Sequence, residues 1–296
     1  MKKFYQYFIL IFFLLSIFLV KDQVFLASQK IFNRIDQQVK NTKASIEIKK
    51  EAAIAAKAET PGALRVVNGL LNRDTKLSKD NIITLTNKYR ISENLSTLAE
   101  SSLLDISAQK KVQDMFNRQY FEHISPQGVG VSGLSEEAGY QYILIGENLA
   151  LGNFKDDLAL VDAWMASPGH RANILNKHYT EIGIAVGQGQ FDGKNIWLAV
   201  QHFGTPRSIC QSVDSVLLAT IDLNQNKIKS LESDLDFRRK IIDGGAFYKD
   251  LTNSQQIDEY NNLVKIYNIL IKETKIKIDQ YNLQIKDLNQ CIEDNQ

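Results

Sequence analysis

The chain has 296 residues, a formal net charge of +1 and a hydrophobic share of 44%. That length exceeds one small domain and leaves room for two or three units; the apolar share is that of a globular protein, and the near-neutral balance gives no case for a nucleic-acid partner. Only 4 prolines and 16 glycines favour long regular elements over a loop-rich scaffold.

At the N-terminus, Lys2 and Lys3 precede an almost wholly apolar run from Phe4 to Val20, closed by Lys21-Asp22. As a helix this run measures about 25 Å at ~1.5 Å per residue, the short edge of a membrane crossing. The best small-residue cleavage position is Ala27, but Phe25 two places earlier is a poor match to a signal-peptidase site. Residues 1–27 are therefore expected to be a signal anchor or signal peptide, with the anchor favoured. Residues 4–20 would sit in the membrane and the rest outside. Residues 28–75 read as a stalk or linker, helical in part around Lys49-Lys50-Glu51-Ala52-Ala53 and broken at Thr60-Pro61-Gly62.

Residues 76–207 carry a globular pattern. Asp80–Tyr89 and Ser101–Tyr120 show apolar residues at helical spacing, with Leu104, Ile106, Ala108, Val112, Met115 and Phe116 in the second. Asp157–Met165 is a third helix, with Leu158, Leu160, Val161 and Trp164 directed inward. Glu181–Gly187 and Ile196–Phe203 read as strands joined through Gly189, Asp192 and Gly193 as a hairpin. Helices flanking strands make the unit α+β.

Residues 208–296 differ. Ile257, Tyr260, Val264, Tyr267, Ile271, Thr274, Ile278, Tyr281, Ile285, Leu288 and Ile292 follow one another by threes and fours, a heptad seam. A weaker seam runs through Leu217, Ile221, Asn224, Ile228, Leu231, Leu235 and Ile242, ended by Gly244-Gly245. The expectation is an antiparallel coiled-coil hairpin, available for self-association or for a protein partner. A turn near residue 248 brings Cys210 and Cys291 to similar heights. In an exported protein they are expected to pair, and closing so long a loop stabilises by ~4 kcal/mol on the chain-entropy account. The other reading is two buried thiols.

The four histidines, His123, His170, His178 and His202, all fall between Tyr120 and Phe203, which places any proton transfer or metal binding there. If their loops converge, His123 and Glu147 suit a divalent cation such as zinc, or a base and its orienting partner for a hydrolytic water. They lack the short spacing of a motif such as H-E-x-x-H. Taken alone, His123 is as readily a hydrogen-bonded residue at a helix end and Glu147 a carboxylate that holds a loop. Ser167-Pro168-Gly169-His170 reads as a turn after the Trp164 helix, which His170, Arg171 and Asn173 tie together. Ser167 near His170 lacks the orienting acid that serine catalysis requires.

Five motifs occur in order: Thr86-Asn87-Lys88-Tyr89-Arg90; Tyr120-Phe121-Glu122-His123 with Ser125-Pro126-Gln127-Gly128; Gly146-Glu147-Asn148-Leu149-Ala150; Trp164 through Leu175; and Tyr179-Thr180-Glu181-Ile182-Gly183-Ile184. Together they resemble the bacterial branch of the CAP superfamily, the SCP-like domains, over roughly residues 80 to 205. The resemblance implies an α-β-α sandwich with a central antiparallel sheet. It also implies a surface cleft that in many members carries two histidines and two glutamates, often with a divalent cation. His123 matches the first histidine and Glu147 the glutamate of Gly-Glu-Asn. Either His178 or His170 matches the second histidine. The other glutamate is missing, since Met165-Ala166-Ser167 follows Trp164. The implied ligand cleft comprises His123, Glu147, Asn148, Ser167, His170, Arg171 and Asn173, and the implied cation ligands are His123, Glu147, His178 and His170.

Three functions follow. The first is an exported, membrane-anchored CAP domain whose cleft binds an envelope ligand (lipid, wall glycan or peptide), with a weakly held divalent cation, zinc foremost. The second is a metal-assisted hydrolase of wall or peptide material, with Glu147 as general base and His123 stabilising charge. The third is a structural envelope protein in which the hairpin does the work and the CAP module is inert. The missing glutamate favours the first.

Overall fold

The computed structural model describes residues 60–66, 76–244 and 251–296, with Lys30, Asn33 and Gln37 as isolated positions. The apolar run 4–20, the cleavage position Ala27 and nearly all of the stalk lie outside the described residues. Among the described residues no helix is long and apolar enough to cross a membrane. The chain divides into two compact units, Lys50–Gln211 with Asn289–Gln296, and Met1–Lys49 with Ser212–Leu288.

The first unit runs β1 (Leu64–Val66), α1 (Lys79–Ser92), β2 (Ala99–Glu100), α2 (Ser102–Arg118), α3 (Val131–Glu137), β3 (Tyr142–Gly152), α4 (Asp157–Ala166), α5 (Pro168–Ile174), β4 (Glu181–Phe191) and β5 (Lys194–Pro206). Local chemistry sets these limits. Ser78 and Asp156 cap α1 and α4, each side chain accepting a backbone N–H of the first turn. Gln119 closes α2 in the left-handed region at φ 53°. Asp192 and Gly193, at φ 50° and 73°, turn β4 into β5 with Phe191 paired to Lys194. Two successive positive φ values are what a tight hairpin turn needs.

The sheet order is β1-β3-β5-β4-β2. β3, β5 and β4 pair antiparallel, as expected for a central sheet, but β1 joins β3 and β2 joins β4 in parallel, so the sheet is mixed. On one face Ile82, Leu160, Val161, Trp164 and Ile174 of α1, α4 and α5 pack against Ala150, Ile182, Ile184, Ala199 and Phe203. On the other, Ala108, Val112 and Met115 of α2 pack against Leu149, Leu151, Ala185, Leu198 and Val200, and Leu104 and Val131 meet Tyr140 and Ile145. The sheet therefore lies between two helical layers. Each large side chain so buried stabilises by about 1.5–3 kcal/mol.

The inward assignment of Leu158 is corrected, and Ile106, though at helical spacing in α2, also faces outward. Leu158 and Ile106 are 48% and 47% exposed. At the start of α4 the inward place is taken by buried Asp157, whose carboxylate accepts from the Ser78 backbone N–H and from Asn81 Nδ2, both at 2.8 Å. A second correction concerns Ser167-Pro168-Gly169-His170, which is the start of helix α5 rather than a turn, with Pro168 in its first turn.

In the second unit α6 (Ser215–Asp243) and α7 (Asn253–Asp294) form an antiparallel pair. Ile228 and Leu235 pack with Tyr260, Val264, Tyr267 and Ile271, and Ile221 packs with Ile278, Tyr281 and Ile285. Tyr267 Oη donates to Glu232 at 2.9 Å, and Arg238 pairs with Glu259 at 2.8 Å. Most of the expected seam is buried; Ile257, at 36% exposed, is outside it. Cys210 and Cys291 form the expected disulfide, with Cα atoms 5.8 Å apart and a sequence separation of 81.

Candidate functional site

Glu147 stands on β3 directly opposite His202 on β5, on the sheet face that α2 covers. Both side chains are fully buried. His202 Nε2 donates to Glu147 Oε2 at 2.9 Å, and His123 Nδ1 donates to Oε1 at 2.6 Å. The other nitrogen of His202 meets Ser107 Oγ at 2.9 Å, which in turn meets Ser135 Oγ at 3.2 Å. The other nitrogen of His123 donates to the carbonyl of Pro61, just before β1. Burial pushes the Glu147 carboxyl up, but the bonds from His123 and His202 outweigh it and hold it at about 2. Glu147 is therefore ionised at every physiological pH.

Lys111 of α2 fixes the loop that presents His123. Its side chain is fully buried, and its ammonium donates to the carbonyls of Glu122 and His123 at 2.7 and 2.8 Å. Burial pulls its pKa down, against the attraction of Glu147 and nearby acids. A buried ammonium with two carbonyl partners positions a loop far more firmly than surface contacts do.

His170 approaches from α5. Its Nδ1 lies 2.8 Å from Ser167 Oγ, and its buried Nε2 has no hydrogen-bond partner of ordinary geometry. Burial, with the charge on His123, lowers its pKa to about 4 against a weaker opposing pull from the Leu149 backbone. The ring is neutral at pH 7. Its backbone is stitched to the sheet: Asn148 Nδ2 donates to the His170 carbonyl at 3.1 Å and to Gln201 Oε1 at 3.0 Å. Asn173 Nδ2 reaches the Glu147 carbonyl at 3.1 Å and Asn148 Oδ1 at 3.0 Å. Asn148 and Asn173 thus hold α5 against β3.

Of the residues expected in the cleft, the structure gathers His123 and Glu147, with Ser167 and His170 beside them and Asn148 and Asn173 as their supports. Arg171 points elsewhere and pairs with exposed Glu93 at 2.6 Å. His178 bonds through its backbone to Asn176 and Thr205, and no hydrogen bond or ion pair joins it to Glu147 or His123. Glu147 is on strand β3, inside the sheet between β1 and β5, not on a loop as expected. The residues sequence reasoning missed are His202, Lys111 and Pro61. His202 was within reach, since it shares strand parity with Leu198 and Val200 and so faces the α2 layer.

To take a divalent cation, the donors on His123 and Glu147 would have to leave the partners they hold as folded. Both nitrogens of His123 face acceptors, the Glu147 carboxylate and the Pro61 carbonyl. Both oxygens of Glu147 are engaged by imidazoles. Among the described residues no group of three His, Cys, Asp or Glu side chains is arranged to hold a metal.

Residues 83–203 match the family described as the Cysteine-rich secretory protein family, CAP. The uncharacterized protein YkwD of Bacillus subtilis (strain 168) is 38% identical over 116 residues, 39% of this chain and 43% of that protein. The uncharacterized membrane protein YlbC of the same organism is 33% identical over 109 residues, 37% of this chain and 31% of that one. The matched part spans less than half of either relative. A solved extracellular protein containing an SCP domain from Bacillus anthracis is 30% identical, covering 43% of this chain and 40% of its own, with a TM-score of 0.37. Residues 83–203 are thus a CAP domain, similar to the SCP domains of bacterial proteins.

Proposed function

We propose that the protein is an exported envelope protein whose CAP domain binds a ligand in the cleft lined by His123, Glu147, Ser167 and His170. One observation carries this reading. A fully buried, ionised carboxylate is held by two imidazoles, next to a third, neutral imidazole with an unpartnered nitrogen. Such groups are costly to bury, and a cluster of strongly perturbed titratable side chains marks a functional site more often than a core. The Cys210–Cys291 disulfide fits an oxidising compartment, and a membrane-protein name attaches to YlbC. Residues 4–20 supply the anchor and the α6–α7 pair the spacer or docking element. The ligand is an envelope component.

The hydrolase reading is the weaker one. It needs Glu147 to take a proton from water, and a carboxylate held at about 2 with both oxygens engaged is a poor base. The test is binding of the full chain to washed cell envelopes, beside Glu147→Gln and His170→Ala. Both variants should keep the native circular dichroism and lose at least ~10-fold in affinity, a change of ~1.4 kcal/mol. Undiminished binding in both would remove the cleft from the function. Turnover of wall or peptide material that Glu147→Gln abolishes would restore the hydrolase.

A further inference from the structure

The cleft already holds a peptide, and the peptide is the chain's own. β1 lies outside the CAP-matched residues 83–203, yet its strand partners and polar contacts belong to them. Leu64, Arg65 and Val66 pair in parallel with Ala150, Leu151 and Gly152 at the outer edge of β3. The residues before them continue along that edge towards Glu147, where the Pro61 carbonyl accepts from His123. Leu64 and Val66 pack on the core under α1, α4 and α5, while Ala63 packs on the other side with Phe121 and Leu149. The Arg65 guanidinium sits 5.1 Å from the centre of the Phe121 ring.

Two glycines make room for this segment. A Cβ on Gly169 would fall 2.5 Å from Pro61 Cβ, and one on Gly152 would fall 2.9 Å from Val66 Cβ and 2.8 Å from the Val66 carbonyl oxygen. The contacts are those of strand addition: backbone pairing along an edge, a carbonyl on a fixed donor, and alternate side chains in apolar sites. A lipid or a glycan offers no strand to pair. We infer that the cleft is a groove for an extended peptide laid along the β3 edge, with Thr60–Val66 as its intramolecular occupant. This names the ligand class of the cleft reading above and rests on it. A ligand in trans must displace the strap, and carries a backbone carbonyl for His123, a proline or other compact residue over Gly169, and apolar residues matching Leu64 and Val66.

The test uses the full chain and a fluorescein-labelled peptide Thr-Pro-Gly-Ala-Leu-Arg-Val. In a Leu64→Asp, Val66→Asp chain the strap is released. That chain should take up the peptide one to one and at least ~100-fold more tightly than the unmodified chain, in which tethering keeps the strap at an effective concentration of about millimolar. Adding Gly169→Val should abolish this binding. In the unmodified chain, millimolar peptide should accelerate amide hydrogen exchange across residues 60–66, a readout independent of whether the released variant folds. A folded, released chain that ignores the peptide, or exchange that the peptide leaves unchanged, overturns the inference. If that released chain still holds washed envelopes in a His170-dependent manner, the peptide class fails and the ligand cleft stands; if it holds neither, both fail.

Discussion

At the scale of single residues the cluster around Glu147 and His170 is sensitive to acid in two separate windows. His170 has its pKa lowered from 6.5 to about 4 in the folded chain, so between those values the unfolded chain binds the extra proton. Stability contributed by the neutral ring is complete above about pH 6.5 and is lost as pH falls towards 4. At ~1.4 kcal/mol per unit the loss is on the order of 1–3 kcal/mol. Glu147, lowered from 4.5 to about 2, contributes stability that is present above about pH 4.5 and lost as pH falls through 2. Urea midpoints at pH 7.5, 5 and 3 should therefore drop in two stages. His170→Gln should flatten the first stage and Glu147→Gln the second; equal slopes in wild type and variants would sink the assignment. Arg90 is not part of this cluster, but its buried guanidinium donates to the carbonyls of Ser96, Ile174, Asn176 and Tyr179 and so fixes the segment that links α5 to β4 and the one that links α1 to β2.

At the scale of elements, the α6–α7 pair was the most legible part of the chain. A seam of period near 3.5 over many turns has few alternative structures. Seam and surface positions should respond differently. Ile228→Ala, fully buried, should cost about 2–4 kcal/mol in urea denaturation. Ile276→Lys, 51% exposed and in register with Ile269 and Leu283 at heptad spacing, should leave the fold intact. If the pair also self-associates, the same substitution should convert a sedimenting oligomer to monomer; a chain that is already monomeric removes that role. β3 was the least legible element. Nearly all of Tyr142–Gly152 is buried on both faces, so the apolar-polar alternation that reveals a strand is absent. β1 and β2 are three and two residues long, too short for any periodicity. The cleft was legible in the same uneven way. The ordered motifs singled out His123 and Glu147, but only the β3–β5 register shows that His202 meets Glu147. The Pro61 contact joins residues 62 apart in sequence and leaves no local signal.

At the scale of the whole molecule, family membership rests on the middle of the chain, and the two ends supply what is particular to it: a strap before the domain and a helical pair after it. The disulfide between Cys210 and Cys291 has a mechanical consequence. It closes α6 and nearly all of α7 into a covalent loop spanning 81 positions. A pull applied at the two ends of the chain enters at Cys210 and leaves at Cys291 through sulfur, so the helices between them carry no load. Stretched in single-molecule force spectroscopy under oxidising conditions, the chain should yield a contour length about 28 nm short of its full extension, at ~3.5 Å per residue. Reductant should release that length in full. Full extension without reductant would mean that the bridge is open and the helices bear the tension themselves. With the bridge closed, a copy held at one end and tugged from the other passes the force around its helical pair, which keeps its shape under strain.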